Sequence, residues 1–189
     1  MSKNNTVVRS MHDLGAAVWL GGTLMGDVGL NGAASNAADK QERAKIASEG
    51  WARWTPVNAV AIGAHLIGSV GMLLANRDRV RDQSGVTANT VVKTTVTGLA
   101  LAATAYSRVL GKKIEAMGTA ADSEAATTPS ESTPDDVAAA QRRLQLLQWA
   151  IPALTAVIVA LGAQQGEQQR PEQVREGLLK KARSRRWSR

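Results

Sequence analysis

His12 and His65 are the two histidines of this 189-residue chain, and no cysteine accompanies them. A thiolate metal site, a disulfide framework and a cysteine nucleophile are therefore excluded. What remains is imidazole and carboxylate chemistry. Two imidazoles on facing helices are a common way for a bundle to hold a b-type haem. Imidazole with the thioether of Met25 or Met72 would suit copper(I). A third ionisable group, Asp27, interrupts an otherwise uncharged stretch. A carboxylate within a span faces a partner or a cavity, with His65, Lys93 and Arg108 as its candidate partners; the alternative is that the first span ends near Met25 and Asp27, with Asn31 one turn on, lies at the interface. No phosphate loop, zinc helix motif or serine elbow is present, and Gly21-Gly22 with Gly26 does not follow a strand. With no second carboxylate or histidine beside a nucleophile, no enzyme is expected. No bound cofactor is expected either, haem b or copper at His12 and His65 being the alternative.

The elements that must position these residues are visible in the charge pattern. Between Asp13 and Asp39 the one ionisable side chain is Asp27, and between Arg53 and Arg77 it is His65. Between Lys93 and Arg108 there is Tyr106 alone, and between Arg143 and Glu167 there is none. A water-soluble helix carries charge on its outer face, so these stretches point to lipid as the solvent. The apolar fraction is 44% and the mean hydropathy −0.16, low for a membrane protein, because the polar residues are pooled in loops and in the tail. The spans are thin, rich in Ala, Val, Leu and Gly, with no Phe.

The pattern predicts an all-α, four-transmembrane-helix bundle over residues 1–166, with spans at about 11–33, 56–75, 90–110 and 146–164, followed by a basic tail over 167–189. Gly22 and Gly26 put two small residues on one face of the first span, a packing surface for another backbone. Asn36 to Trp54 reads as an amphipathic connector, with Pro56 opening the second span. Trp51 and Trp54, and Trp149 at the fourth span, suit the headgroup belt. Residues 118–134, rich in Ala, Ser, Thr, Glu and Pro, read as a mobile loop. Pro152 is expected to kink the fourth span or mark its start. Thirteen Lys and Arg residues fall on the side holding both termini and eight on the other, which places both termini in the cytoplasm of a multi-pass plasma-membrane protein. The net charge of +7 lies beside apolar segments and in the tail, so it points to anionic lipid headgroups rather than nucleic acid.

This topology sets the expected depth of the histidines. His12 falls at the cytoplasmic end of the first span. His65, ten residues up the second, falls roughly 15 Å deep. A shared haem then has unfavourable geometry, and hydrogen bonding between helices is the expected role of His65.

The segment His12-Asp13-Leu14-Gly15-Ala16-Ala17-Val18-Trp19-Leu20-Gly21-Gly22 resembles the opening helix of the copper-resistance D-like and related bacterial membrane families. Those show a histidine followed, a turn or two later, by a tryptophan and paired glycine. The matching positions are His12, Trp19, Gly21 and Gly22. The resemblance covers eleven residues, and the later histidines and methionine clusters of a copper importer have no counterpart here. The Ala, Arg and Thr bias also resembles that of proteins from high-GC actinobacteria. The expected role is that of a non-enzymatic accessory or structural protein of the bacterial inner membrane, packing with itself or a larger membrane complex. The alternatives are a haem- or copper-binding redox protein using His12 and His65, and a small ion-coupled transporter centred on Asp27.

Overall fold

A computed structural model describes residues 3–75, 84–116, 123–125 and 127–168 of the chain. The basic loop around Arg77 to Arg81 and nearly all of the C-terminal tail lie outside the described residues, as do residues 117–122 and 126. The described fold is all-helical apart from one two-strand hairpin. Helix α1 spans Lys3–Met25, passes through a π-helical turn at Gly26–Leu30, and continues as the short α2, Asn31–Ser35. Helix α3 spans Lys40–Ala75, α4 Ser84–Ala116 and α5 Asp135–Gln168.

Each long helix outruns the span expected of it. The connector before Pro56 is the first part of α3, which runs through the proline unbroken. A proline removes one helical hydrogen bond. Here Trp51 and Trp54 dock on Gly26 and Gly22 on either side of the chain reversal and hold that part of the helix against α1. Thr55 Oγ also closes onto the Trp51 carbonyl at 2.8 Å. Helix α5 likewise passes through Pro152, and Thr155 Oγ, 2.8 Å from the Ile151 carbonyl and 3.1 Å from that of Pro152, supplies extra bonds there. Within residues 118–134, the segment expected to be a mobile loop, Ser123–Ala125 and Thr128–Pro129 pair as an antiparallel hairpin that packs on α3 and α5.

Helix α1 packs against α3 and α5, and α5 packs against α4. Asn89 Nδ2 donates to Gln164 Oε1 at 2.9 Å, fastening the last of these pairs. The central cluster is Ala16, Trp19, Ala100, Ile151 and Ile158. Many larger apolar side chains face outward, among them Val60, Leu146, Leu14 and Leu74. Helices α3 and α5, over Glu42–Ala75 and Asp135–Gln164, are long and apolar enough to cross a membrane, and their most apolar stretches are only 22% and 28% buried. The core helix of a soluble protein would turn that surface inward.

Candidate functional site

Two reciprocal glycine contacts build the site. Gly15 on α1 lies against the backbone of Ala61 and His65 on α3, and Gly68 on α3 lies against the backbone of Val8 and His12 on α1. With no side chain at either position the two helices meet backbone to backbone, one contact beside each histidine. His12 is nine residues from the start of α1 and His65 ten from the end of the antiparallel α3, so the two reach one level. The expected difference in depth does not exist. It came from starting the first span at Met11, whereas α1 already runs from Lys3.

The two rings are fully buried, with centroids 4.4 Å apart and planes tilted by 42°. Their outer nitrogens are both engaged. His12 Nδ1 donates to the Asp13 carboxylate at 2.6 Å, and His65 Nδ1 donates to the backbone carbonyl of His12 at 3.1 Å. Both acceptors lack a proton to give, so each ring, when neutral, carries its hydrogen on Nδ1 and a lone pair on Nε2. Neither Nε2 has a hydrogen-bond partner among the described residues, though both are buried. This is the tautomer that metal-ligating histidines adopt, with Nδ1–H held by a carboxylate or a carbonyl.

The surroundings are small and polar. A methyl group placed on Gly162 of α5 would stand 3.5 Å from His12 Cε1, 3.9 Å from Asp13 Oδ1 and 4.0 Å from Lys93 Nζ. Lys93 is buried from α4, and Asp13 is exposed at the edge. Trp19 stands edge-on to His65 with centroids 6.3 Å apart. Asp13 and Lys93 were not singled out for this place by the sequence. The adjacency of a carboxylate to His12 was the available signal for Asp13.

The arrangement discriminates between cofactors. An imidazole nitrogen sits about 2.0–2.1 Å from its metal, which puts the ring centroid about 3 Å away. Two trans axial ligands of one haem iron would then have centroids about 6 Å apart. The rings are 4.4 Å apart, and the glycine contacts hold both backbones there. The pair does not fit a haem between its rings. Two imidazoles on adjacent positions of a single ion, at a ligand angle of roughly 90°, would have centroids about this far apart. Met72 is seven residues from His65, about 10 Å along α3, and Met25 is thirteen from His12, about 20 Å along α1, so neither thioether joins the imidazoles. No group of three or more His, Cys, Asp or Glu side chains arranged for a metal occurs among the described residues.

Asp27 lies elsewhere. It sits in the π-helical turn, and both carboxyl oxygens are buried without a hydrogen-bond partner among the described residues. The partners expected for it, His65, Lys93 and Arg108, do not reach it, and the first two belong to the imidazole cluster. The inward-turned tryptophans correct a second expectation. Trp51 and Trp54 fill the notches at Gly26 and Gly22, so this small-residue face is occupied from within the chain, and Trp51 Nε1 donates to Asn31 Oδ1 at 3.0 Å. Trp149 is exposed.

Comparison of the chain with protein-family models, with curated proteins and with solved structures found no match.

Proposed function

We propose that this is a non-enzymatic, four-span inner-membrane protein with both termini in the cytoplasm, and that it holds one transition-metal ion, copper(II) by preference, between His12 and His65. The observation that carries the reading is the pair of buried Nε2 atoms without a hydrogen-bond partner among the described residues, on rings whose Nδ1 atoms are already held by Asp13 and a backbone carbonyl. Imidazole suits copper, zinc, nickel and iron, and copper(II) stands highest in the affinity order of the divalent ions. Two protein nitrogens leave further positions on the ion for water or an exchanging partner, which suits ion handling or redox exchange better than a closed structural site. The neighbouring Lys93 ammonium opposes a bound cation, and the Asp13 carboxylate offsets it.

The membrane part rests on the outward-facing apolar residues of α3 and α5 and on the polar interior. Carbonate washing of cell membranes tests it: the chain is expected in the pellet, and recovery in the wash refutes it. For the ion, detergent-solubilised full-length protein is loaded with copper(II), desalted and assayed for metal. One ion per chain is expected, falling to background in both His12→Ala and His65→Ala. Equal copper in the wild type and in the double variant refutes the site.

A further inference from the structure

Away from the imidazole pair, a slot of about 290 Å³ separates α3 from α4. These two helices make little direct contact, α3 being held by α1 and α4 by α5. The slot follows α3 from Ala44 to Ile62, about 27 Å of helix, and α4 from Thr104 to Glu115, about 16 Å. Its walls are small or flat: Ala47, Ala59 and Ala105 with Ile62 and the indoles of Trp51 and Trp54. The volume is at the small end for a ligand pocket. A space this long and narrow takes a hydrocarbon chain rather than a compact ring system. One charge is set into the wall. Arg108 is half-buried there, and its guanidinium has no hydrogen bond or ion pair among the described residues. Glu115, two turns further along α4, is exposed, which leaves Arg108 as the inner charge. A guanidinium against apolar surface recruits an acid, which it can grip with two parallel N–H bonds.

We propose that this slot binds a single-chain anionic amphiphile, its hydrocarbon chain lying between α3 and α4 and its acid group paired with Arg108. The chemistry is that of a long-chain carboxylate or of one chain of an anionic phospholipid. The inference does not depend on the metal site. Because Trp51 and Trp54 line the slot, their fluorescence reports its occupant. Full-length protein in detergent is titrated with dibromostearic acid, with dibromostearyl alcohol and with a brominated phosphatidylglycerol. Saturable quenching is expected, with the acid binding about tenfold or more tightly than the alcohol, the worth of one charged hydrogen-bonded pair. Arg108→Gln is expected to erase that preference, and Ala105→Phe to fill the slot and abolish saturable quenching. If the phospholipid saturates and the free acid does not, the occupant is a lipid of the bilayer; the reverse identifies a free acid; either supports the slot. Non-saturating quenching that is equal in the wild type and in Ala105→Phe overturns the proposal. Should Ala105→Phe lose its cooperative melting transition, Ala59→Leu on the facing wall serves the same purpose.

Discussion

Gly68→Ala tests whether the glycine contacts, and not only the imidazoles, make the site. A Cβ at residue 68 would fall on His12 N and Val8 O, and would stand 2.8 Å from His12 Cα, where ordinary contact begins at 3.4 Å. Backbone cannot rotate away, so the nearest of these contacts require α1 to retreat from α3 by about 1 Å at His12 itself. Metal ligands tolerate about 0.2 Å. The substitution leaves both histidines, Asp13 and the charge unchanged, yet it should lower copper(II) affinity about 10- to 100-fold, the range seen when supporting contacts are lost. Overpacking should also cost about 1–3 kcal/mol of stability. Gly63→Ala is the control, because it lies on the same helix and a methyl group there meets nothing within 4 Å. It should bind copper like the wild type and gain up to about 1 kcal/mol from helix propensity. The assay is copper(II) titration against a competing chelator, with thermal melting of each variant in the same detergent. If Gly68→Ala melts cooperatively and binds copper within twofold of Gly63→Ala, the claim that backbone contact sets the imidazole geometry is wrong.

Asp13→Asn keeps an acceptor for His12 Nδ1–H but removes its charge. It should weaken copper(II) binding about tenfold, and unchanged affinity in the same titration would detach Asp13 from the site. Ile158→Ala opens the central cluster at a residue with no solvent exposure and should destabilise by about 2–4 kcal/mol, read by thermal melting. The neighbouring Val157→Ala, on the outward face, should change stability by less than about 0.5 kcal/mol. Asp27→Asn removes an unpartnered buried carboxylate; it should leave copper binding untouched and the melting temperature equal or higher, and a lower melting temperature would mean that the carboxylate has a stabilising partner.

Charge spacing alone disclosed helices, because long apolar stretches with at most one ionisable side chain have few other solutions. It could not disclose their ends. Proline at 56 reads as a helix start by local rules, and only the docking of Trp51 and Trp54 onto α1 explains why the helix continues through it. Of the two errors, sixteen residues at the start of α3 and eight at the start of α1, the second carried into the site, since it separated two histidines that share a level. Gly22 and Gly26 were legible as a close-packing face, but a sequence does not say whose side chain fills it. Gly15 and Gly68, which set the imidazole distance, carry no signal beyond being glycine in an apolar run. The tautomer was hidden for a similar reason. The acceptor for His65 is a backbone carbonyl fifty-three residues away, and backbone oxygens leave no trace in composition.

The distribution of residues links the fold to the site. The buried apolar set is largely alanine, while valine, leucine and isoleucine face outward, and the interior holds His12, His65, Asn58, Thr155 and Gln148. In water such a chain would leave its best driving force unused. With hydrocarbon outside, as proposed, there is no hydrophobic gain from pairing helices at all, and association must come from close backbone approach and from hydrogen bonds between helices. The α1–α3 pair uses both at one place: Gly15 and Gly68 supply the approach, and His65 Nδ1–H to the His12 carbonyl supplies the bond. The interactions that bring these two helices together are therefore the ones that bury the two Nε2 atoms, which have no hydrogen-bond partner among the described residues. A variant that loosens the pair must loosen the site, and an ion bound between the rings must in turn tighten the pair.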